Sequence, residues 1–193
     1  NKDTLVANGF YFDQIIYYHN SKDEFLNYIE VLPIVKNLNR KKFLDSFYYT
    51  NIISNSDIKR FALANFNVDI LSIYNYSGHL HKSIYGPDFY VPICFKNNKE
   101  YIRTQAYQDL ASTSNYIYAL YSGRIINKKE KKSRDWLSNQ PKNIFIYDWD
   151  GDPIKKINLK AYTSYITISE QNSTIYSIYE DNSYFYIGYH DIK

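Results

Sequence analysis

NYIYALYSGR at 115–124 and NIFIYDWDGDPIKKINL at 143–159 decide the fold. Both place Ile, Tyr and Phe, which favour extended backbone, in runs of strand length. The second reaches Asp150-Gly151, a pair suited to a tight hairpin because Gly tolerates positive φ, and returns as DPIKKINL. With AYQDLAST before them, the runs read as four successive antiparallel strands. A charged excursion, 124–143, separates the second strand from the third.

The rest of the chain follows the same scheme. FYYTNIISN, RFALANF, ILSIYNY and HLHKSI, between Phe47 and Ile84, are four strand-length runs joined by Ser-Asp, Asn-Val-Asp and Ser-Gly turns, hence a meander. Gly86-Pro87-Asp88 breaks it, and VPICF with EYIRTQ reads as an extra hairpin across Lys96 to Lys99. YITISE, TIYSIYE and YFYIGYH form a last set of three. Before Leu44, TLVANGFYF, QIIYYHN and EFLNYIEVL read as three strands, although the apolar spacing of Asp23 to Leu38 also fits a helix interrupted by Pro33.

Aligning the third strands exposes an irregular repeat: ILSIYNYSG at 70–78, IFIYDWDG at 144–151 and YFYIGYHD at 184–191. Without the insert, the units approach the roughly 40–50 residues of a four-stranded propeller blade. The fold class expected is all-β: a β-propeller of four-stranded antiparallel blades, about four in this chain, near 1–44, 45–104, 105–160 and 161–193. The last has three strands, and in a closed propeller a strand from the chain's other end fills such a vacancy.

Composition agrees with strands. The 193 residues hold 23 Tyr and 11 Phe but only 6 Gly and 5 Pro. A formal net charge of +3 demands no nucleic acid or anionic membrane as partner. Cys94 is alone, which excludes an internal disulfide and a thiolate metal cluster. No apolar run approaches the roughly 18–20 residues needed to span a bilayer as a helix, and the N-terminus lacks a signal-peptide pattern. With no Met present, a mature form or a fragment is expected.

YIYALYSGR, then IFIYDWDGDPIKKINL, then a strand pair ending in an aromatic strand, resembles the TolB-like six-bladed β-propeller proteins of Bacteroides and relatives. FALANFNVDILSIYNYSGHLHKSIYGPD, 61–88, is similar to the preceding blade of that family, with its IYD-x-x-G strand and GPD exit. The resemblance runs from about Phe61 to the C-terminus. It implies the fold and an envelope or lipoprotein-type location, and supplies no catalytic residues. Six blades need roughly 300 residues, so either two blades precede this chain or it closes in an unusual way.

Candidate chemistry is sparse. Asp148, Asp150 and Asp152 alternate, but a helix-loop-helix calcium loop needs Gly sixth and Glu twelfth, and here Gly is fourth and Leu159 twelfth; a hairpin turn explains the group. His79 and His81, two apart, would face one side of a strand, without a third ligand nearby. His19 and His190 are distant in sequence. No nucleophile elbow, P-loop or dinucleotide motif occurs. No cofactor, metal or catalytic residue is therefore expected. Tyr is assigned chiefly to packing between blades.

KKEKKSR at 128–134, flanked by Arg124 and Trp136, is a solvated loop with the makings of an anion-binding patch. In a four-stranded blade the connection from second to third strand shares an end with the connection to the next blade. That places 124–143 beside Tyr85 to Asp88 and Lys160 to Ser164. The candidate ligand-binding residues on this face are Arg124, Arg134, Trp136, Asp88 and Tyr162. The function expected is a non-enzymatic binding module for a protein, peptide or glycan. A propeller hydrolase or lyase acting on glycans or peptides is the alternative, and nucleic-acid binding is not favoured.

Overall fold

A computed structural model describes residues 4–11, 14–20, 25–29, 50–87, 95–96, 99–100, 103–126, 141–171, 173–181 and 184–192. Every regular element among them is a β-strand, and every strand pair is antiparallel. The chain divides into two compact units, 1–50 and 51–193.

The first unit is a three-stranded sheet of β1 (Thr4–Tyr11), β2 (Gln14–Asn20) and β3 (Phe25–Ile29), in that order. The helical alternative for Asp23 to Leu38 is thus corrected over Phe25–Ile29, where Ile29 pairs with Ile16 and Tyr28 with Tyr17. Five residues are too few to meet the cost of nucleating a helix, whereas the β-branched and aromatic β2 offers a ladder already formed. The remainder of that alternative lies outside the described residues.

The second unit repeats one device. Its first sheet is β4 (Thr50–Asn55), β5 (Arg60–Asn65), β6 (Ile70–Asn75) and β7 (Leu80–Tyr85), in sequence order. A two-rung hairpin follows, β8 (Phe95–Lys96) with β9 (Lys99–Glu100). EYIRTQ is therefore split, because Arg103 to Gln105 open the next sheet and not the hairpin. That sheet is β10 (Arg103–Ser112), β11 (Tyr116–Ile126), β12 (Asn143–Asp148) and β13 (Pro153–Asn158), again in order. The last is β14 (Thr163–Ile168), β15 (Thr174–Asp181) and β16 (Tyr184–Asp191).

The repeat seen in sequence is a repeat of turn geometry in the two four-stranded sheets. In NYSGH, Gly78 N–H donates to the Asn75 carbonyl at 2.9 Å, and the Asn75 side chain accepts from Ser77 N at 3.1 Å and His79 N at 3.0 Å. In DWDGD, Gly151 N–H donates to the Asp148 carbonyl at 3.1 Å, and the Asp148 side chain accepts from Asp150 N at 3.0 Å and Asp152 N at 2.8 Å. Gly78 and Gly151 have φ of +89° and +86°, the left-handed region that closes a three-residue hairpin loop. The Asp148–Asp152 group is a turn, as its spacing implied. His79 belongs to the other turn, so it does not share a strand face with His81.

Sheet-on-sheet packing explains why β11 buries every side chain from Ile117 to Tyr121. One face, with Ile117, Ala119 and Tyr121, meets Ala62, Ala64, Leu71 and Ile73 of the preceding sheet. The other, with Tyr118 and Leu120, joins Ile144, Ile146 and Ile157 against Ile166 and Ile175 of the last sheet. A strand covered on both faces carries no alternation of polar with apolar residues.

Polar side chains lock the seams. Asn51 and Asn55 of β4 donate from Nδ2 to the carbonyls of Gln108 at 3.0 Å and Ser114 at 2.8 Å. One sheet on, Asp109 of β10 accepts from Ile166 N–H at 2.8 Å. Arg60 of β5 donates to the Trp149 carbonyl at 2.6 Å and to Asp150 Oδ1 at 2.7 Å, holding the next sheet's hairpin turn. First strands β10 and β14 lie side by side, as strands nearest a propeller axis do.

The assignment of Tyr to seams holds for Tyr107, Tyr118, Tyr121 and Tyr147 and fails on the last sheet. Tyr165, Tyr176, Tyr184, Tyr186 and Tyr189 of β14–β16 are exposed.

Candidate functional site

The connections between strands two and three gather at one end of the sheets with those leading from one sheet to the next. Ala106 N–H donates to the Phe66 carbonyl at 2.7 Å and Gly86 N–H to the Asp69 carbonyl at 3.0 Å. In the next sheet, Leu159 N–H donates to the Lys142 carbonyl at 2.7 Å and Thr163 N–H to the Pro141 carbonyl at 2.9 Å. The returning end of the 124–143 excursion thus lies beside Leu159 to Thr163, where the blade argument put it.

At this end Lys142 places Nζ 4.0 Å from the centre of the Tyr162 ring, a half-buried lysine with its cation on an exposed aromatic face. Of the residues expected here, Tyr162 is on the face. Arg124 is on β11, opposite Gln105, and not in a loop, because the strand runs on to Ile126. Asp88, Arg134 and Trp136 lie outside the described residues. Lys142 escaped the sequence reading because it stands apart from the basic run at 128–134.

Beneath this end is a buried polar knot that the sequence did not announce. Asp69, fully buried, accepts from the Tyr121 hydroxyl at 2.8 Å. Tyr121 is aimed there by a pair of compensating bulges. Between the pairs Gln105–Arg124 and Tyr107–Tyr121, β11 carries an extra residue at Ser122-Gly123, with Gly123 at φ +62°; β10 answers with Gln108. Gly86 completes the knot. A Cβ there would sit 1.6 Å from Asp69 Oδ1, so only glycine lets the chain pass the carboxylate.

Around Asp69 the phenols hold their protons. Burial pushes Tyr107 well above the usual phenol range, with Tyr147 and then Asp69 adding to it. Burial also raises Tyr147, and it lifts Tyr74 in the preceding sheet to about 12. The Tyr107 hydroxyl sits beside Tyr147 outside good hydrogen-bonding geometry. Tyr107 and Tyr121 meet edge to face at 5.2 Å, and Tyr121 and Phe145 at 5.0 Å. This arrangement fixes two sheets together, and burial keeps the Tyr107 and Tyr147 phenols protonated near neutral pH.

The opposite end is a charged lattice across the same seam. Asp150 is paired with Arg60 and lies 3.3 Å from His81 Nε2, while Lys82 is 3.7 Å from Asp152. The Arg60 hydrogen bond and charge, then His81, hold Asp150 below its usual carboxylate value. His79 Nδ1 is 2.8 Å from Ser77 Oγ. The two His are thus spent on separate partners, and among the described residues no three His, Cys, Asp or Glu gather as a metal site.

A family model described as TolB-like 6-blade propeller-like matches residues 1–171. The chain belongs to that family. The match includes the first 44 residues, which the resemblance read from sequence had left out, and it stops before β15. Two solved structures similar to the TolB-like chain agree on the fold. One is a protein from Desulfotomaculum acetoxidans DSM 771 described as functionally unknown, with 12% identity over 92% of this chain and 46% of that one, at a TM-score of 0.51. Another is a chain of the Mitotic Checkpoint Complex, with 10% identity over 95% and 46%, at 0.52. Hydrazine synthase of Kuenenia stuttgartiensis follows with 14% identity over 86% and 36%, at 0.47. The TolB-like chain spans less than half the length of each. No curated protein matches its sequence.

Proposed function

We propose that this TolB-like chain is a non-enzymatic binding module of the bacterial cell envelope, taking a protein, peptide or glycan at the end where Lys142 meets Tyr162. The cation held 4.0 Å over an exposed ring carries the reading. A flat aromatic face beside a positive charge suits sugar rings, carboxylates and peptide side chains alike. Arg124 at the end of β11, Arg134 and Trp136 of the excursion, and Asp88 of the Gly86-Pro87-Asp88 connection are the further candidates by sequence. The envelope location rests on the family resemblance. Among the described residues no helix is long and apolar enough to cross a membrane.

The hydrolase or lyase reading needs acid and base side chains meeting at one mouth. Asp109, a carboxylate that burial does bias toward its protonated form, is bonded to Ile166 N–H across a seam. No observation favours that reading over binding.

The test replaces 127–140 by a short Gly-Ser link, which leaves β11 and β12 whole, and separately makes Lys142→Ala with Tyr162→Ala. Immobilised wild type is screened against panels of neutral and acidic oligosaccharides and of peptides. Ligands of the wild type should bind at least tenfold more weakly to both variants while their far-UV CD and melting stay unchanged. Undiminished binding by both would overturn the proposal.

A further inference from the structure

The four-strand repeat sets Asp69 and Lys142 at the same place in successive sheets. Ile70 pairs with Tyr85 and Asn143 with Asn158, so each stands just before its third strand, opposite the residue that follows its fourth. The two backbones agree. The Asp69 carbonyl accepts from Gly86 N–H at 3.0 Å, and the Lys142 carbonyl from Leu159 N–H at 2.7 Å. The side chains part. At the first place Gly86 leaves the carboxylate room to turn inward, since a Cβ there would sit 1.6 Å from Asp69 Oδ1. At the second, buried Leu159 stands where Gly86 does, and the Cβ that Gly86 lacks closes the inward route. The Lys142 ammonium lies instead on the Tyr162 ring, 4.0 Å from its centre.

One repeat position thus carries a buried acid in one sheet and, in the next, a half-buried lysine turned to the face. Among the described residues no carboxylate comes within ion-pair distance of Lys142 or of exposed Lys160, Glu180 and Asp181 at the end of β15 included. The described ion pairs all lie at the opposite end, on Arg60, His81 and Lys82. An ammonium resting on a ring uses no oxygen acceptor, so its N–H donors remain available to a ligand.

Resting on the binding reading of this face, we infer that its ligand is an anionic oligosaccharide, with a carboxylate or sulfate on Lys142 and a sugar ring against Tyr162. Charge selects the anion, because Lys142 and Lys160 flank the aromatic ring without a described acid to neutralise them. The backbone selects sugar over acidic peptide. The Leu159 and Thr163 N–H groups and the Pro141 and Lys142 carbonyls bond to one another, so an extended peptide finds no ladder to join there. Recognition falls to side chains, and a sugar with an acidic substituent uses both kinds present: its C–H face meets the ring, and its anion takes the N–H donors.

The full chain is immobilised and titrated with uronate, sialylated and sulfated oligosaccharides, each beside its methyl-ester or desulfated form, and with glutamate-rich peptides. At least one acidic oligosaccharide should bind, at least about tenfold more tightly than its neutral form. Lys142→Gln should erase that preference with unchanged CD, Lys142→Arg should keep it, and the affinity should fall between about 50 mM and about 500 mM salt. Binding to no acidic oligosaccharide, equal binding of the neutral forms, tighter binding of the peptides, or a preference that survives Lys142→Gln would each overturn the inference. The binding reading fails separately. A neutral or peptide ligand weakened by Lys142→Ala with Tyr162→Ala would retain the face and overturn only the ligand class, whereas ligands undiminished by that pair would remove both.

Discussion

Two tyrosine-to-phenylalanine substitutions a ring apart should act with opposite signs. Tyr121→Phe removes the hydroxyl that donates to buried Asp69 at 2.8 Å and leaves both rings of the edge-to-face pair in place. A hydrogen bond to a charged group contributes about 1.5–3 kcal/mol net, and a buried acceptor that loses a donor bears the cost of its desolvation. At about 2–4 °C per kcal/mol for a chain of this size, the midpoint should fall by roughly 3–12 °C. Tyr107→Phe deletes a fully buried hydroxyl outside good hydrogen-bonding geometry. Removing an unsatisfied polar group should be neutral or stabilising, by up to about 1–3 kcal/mol. Urea titration followed by the fluorescence of Trp149, which is buried in this seam, reads both changes on one scale. Equal losses in the two variants would refute the reasoning, because they would show that the rings' surroundings and not the hydroxyls' partners set the energy. So would a Tyr121→Phe loss that persists undiminished in an Asp69→Ala background, since the two changes must couple if they share a bond.

Gly86→Ala should be the more severe change at the same knot. Its methyl would overlap Asp69 Oδ1, so a loss of at least about 2 kcal/mol is expected by thermal melting. Gly151→Ala combines a positive φ with a Cβ 2.7 Å from Lys82 Cγ, and should cost about 1–2 kcal/mol while leaving the fold intact by CD. Asp109 gives a pH signature. Burial raises its proton affinity above the ordinary value of 3.8, so the native state binds the proton more tightly than the unfolded chain. Its contribution is therefore most favourable at low pH and declines as pH rises from about 4 through the folded value. Relative to Asp109→Asn, wild type should lose ground across that interval in urea midpoints taken from pH 4 to 7. A gain would contradict the burial of the carboxylate.

The strands were legible because strand propensity is local. NYIYALYSGR and NIFIYDWDGDPIKKINL announce their extended backbone by residue type, and Asn75 to Gly78 and Asp148 to Gly151 announce their turns by a side-chain oxygen and a glycine within four residues. The meander order followed from those turns, since short connections leave only antiparallel neighbours. The candidate face was legible only in part. That the excursion returns beside Tyr162 follows from strand order, but Lys142 over its ring does not.

What the chain's own sequence determined, then, is the all-β class, the four-strand repeat and the hairpins, each settled by contacts spanning a few residues. The tertiary structure alone decided which polar groups are consumed. Asp69, Gly86 and Tyr121 are separated by up to 52 positions and meet because two sheets stack. Asn51, Asn55 and Arg60 hold partners 57 to 90 positions away. Propensity is a property of neighbours along the chain, whereas burial and pairing are properties of neighbours in space, and the function of this TolB-like chain rests on the second kind.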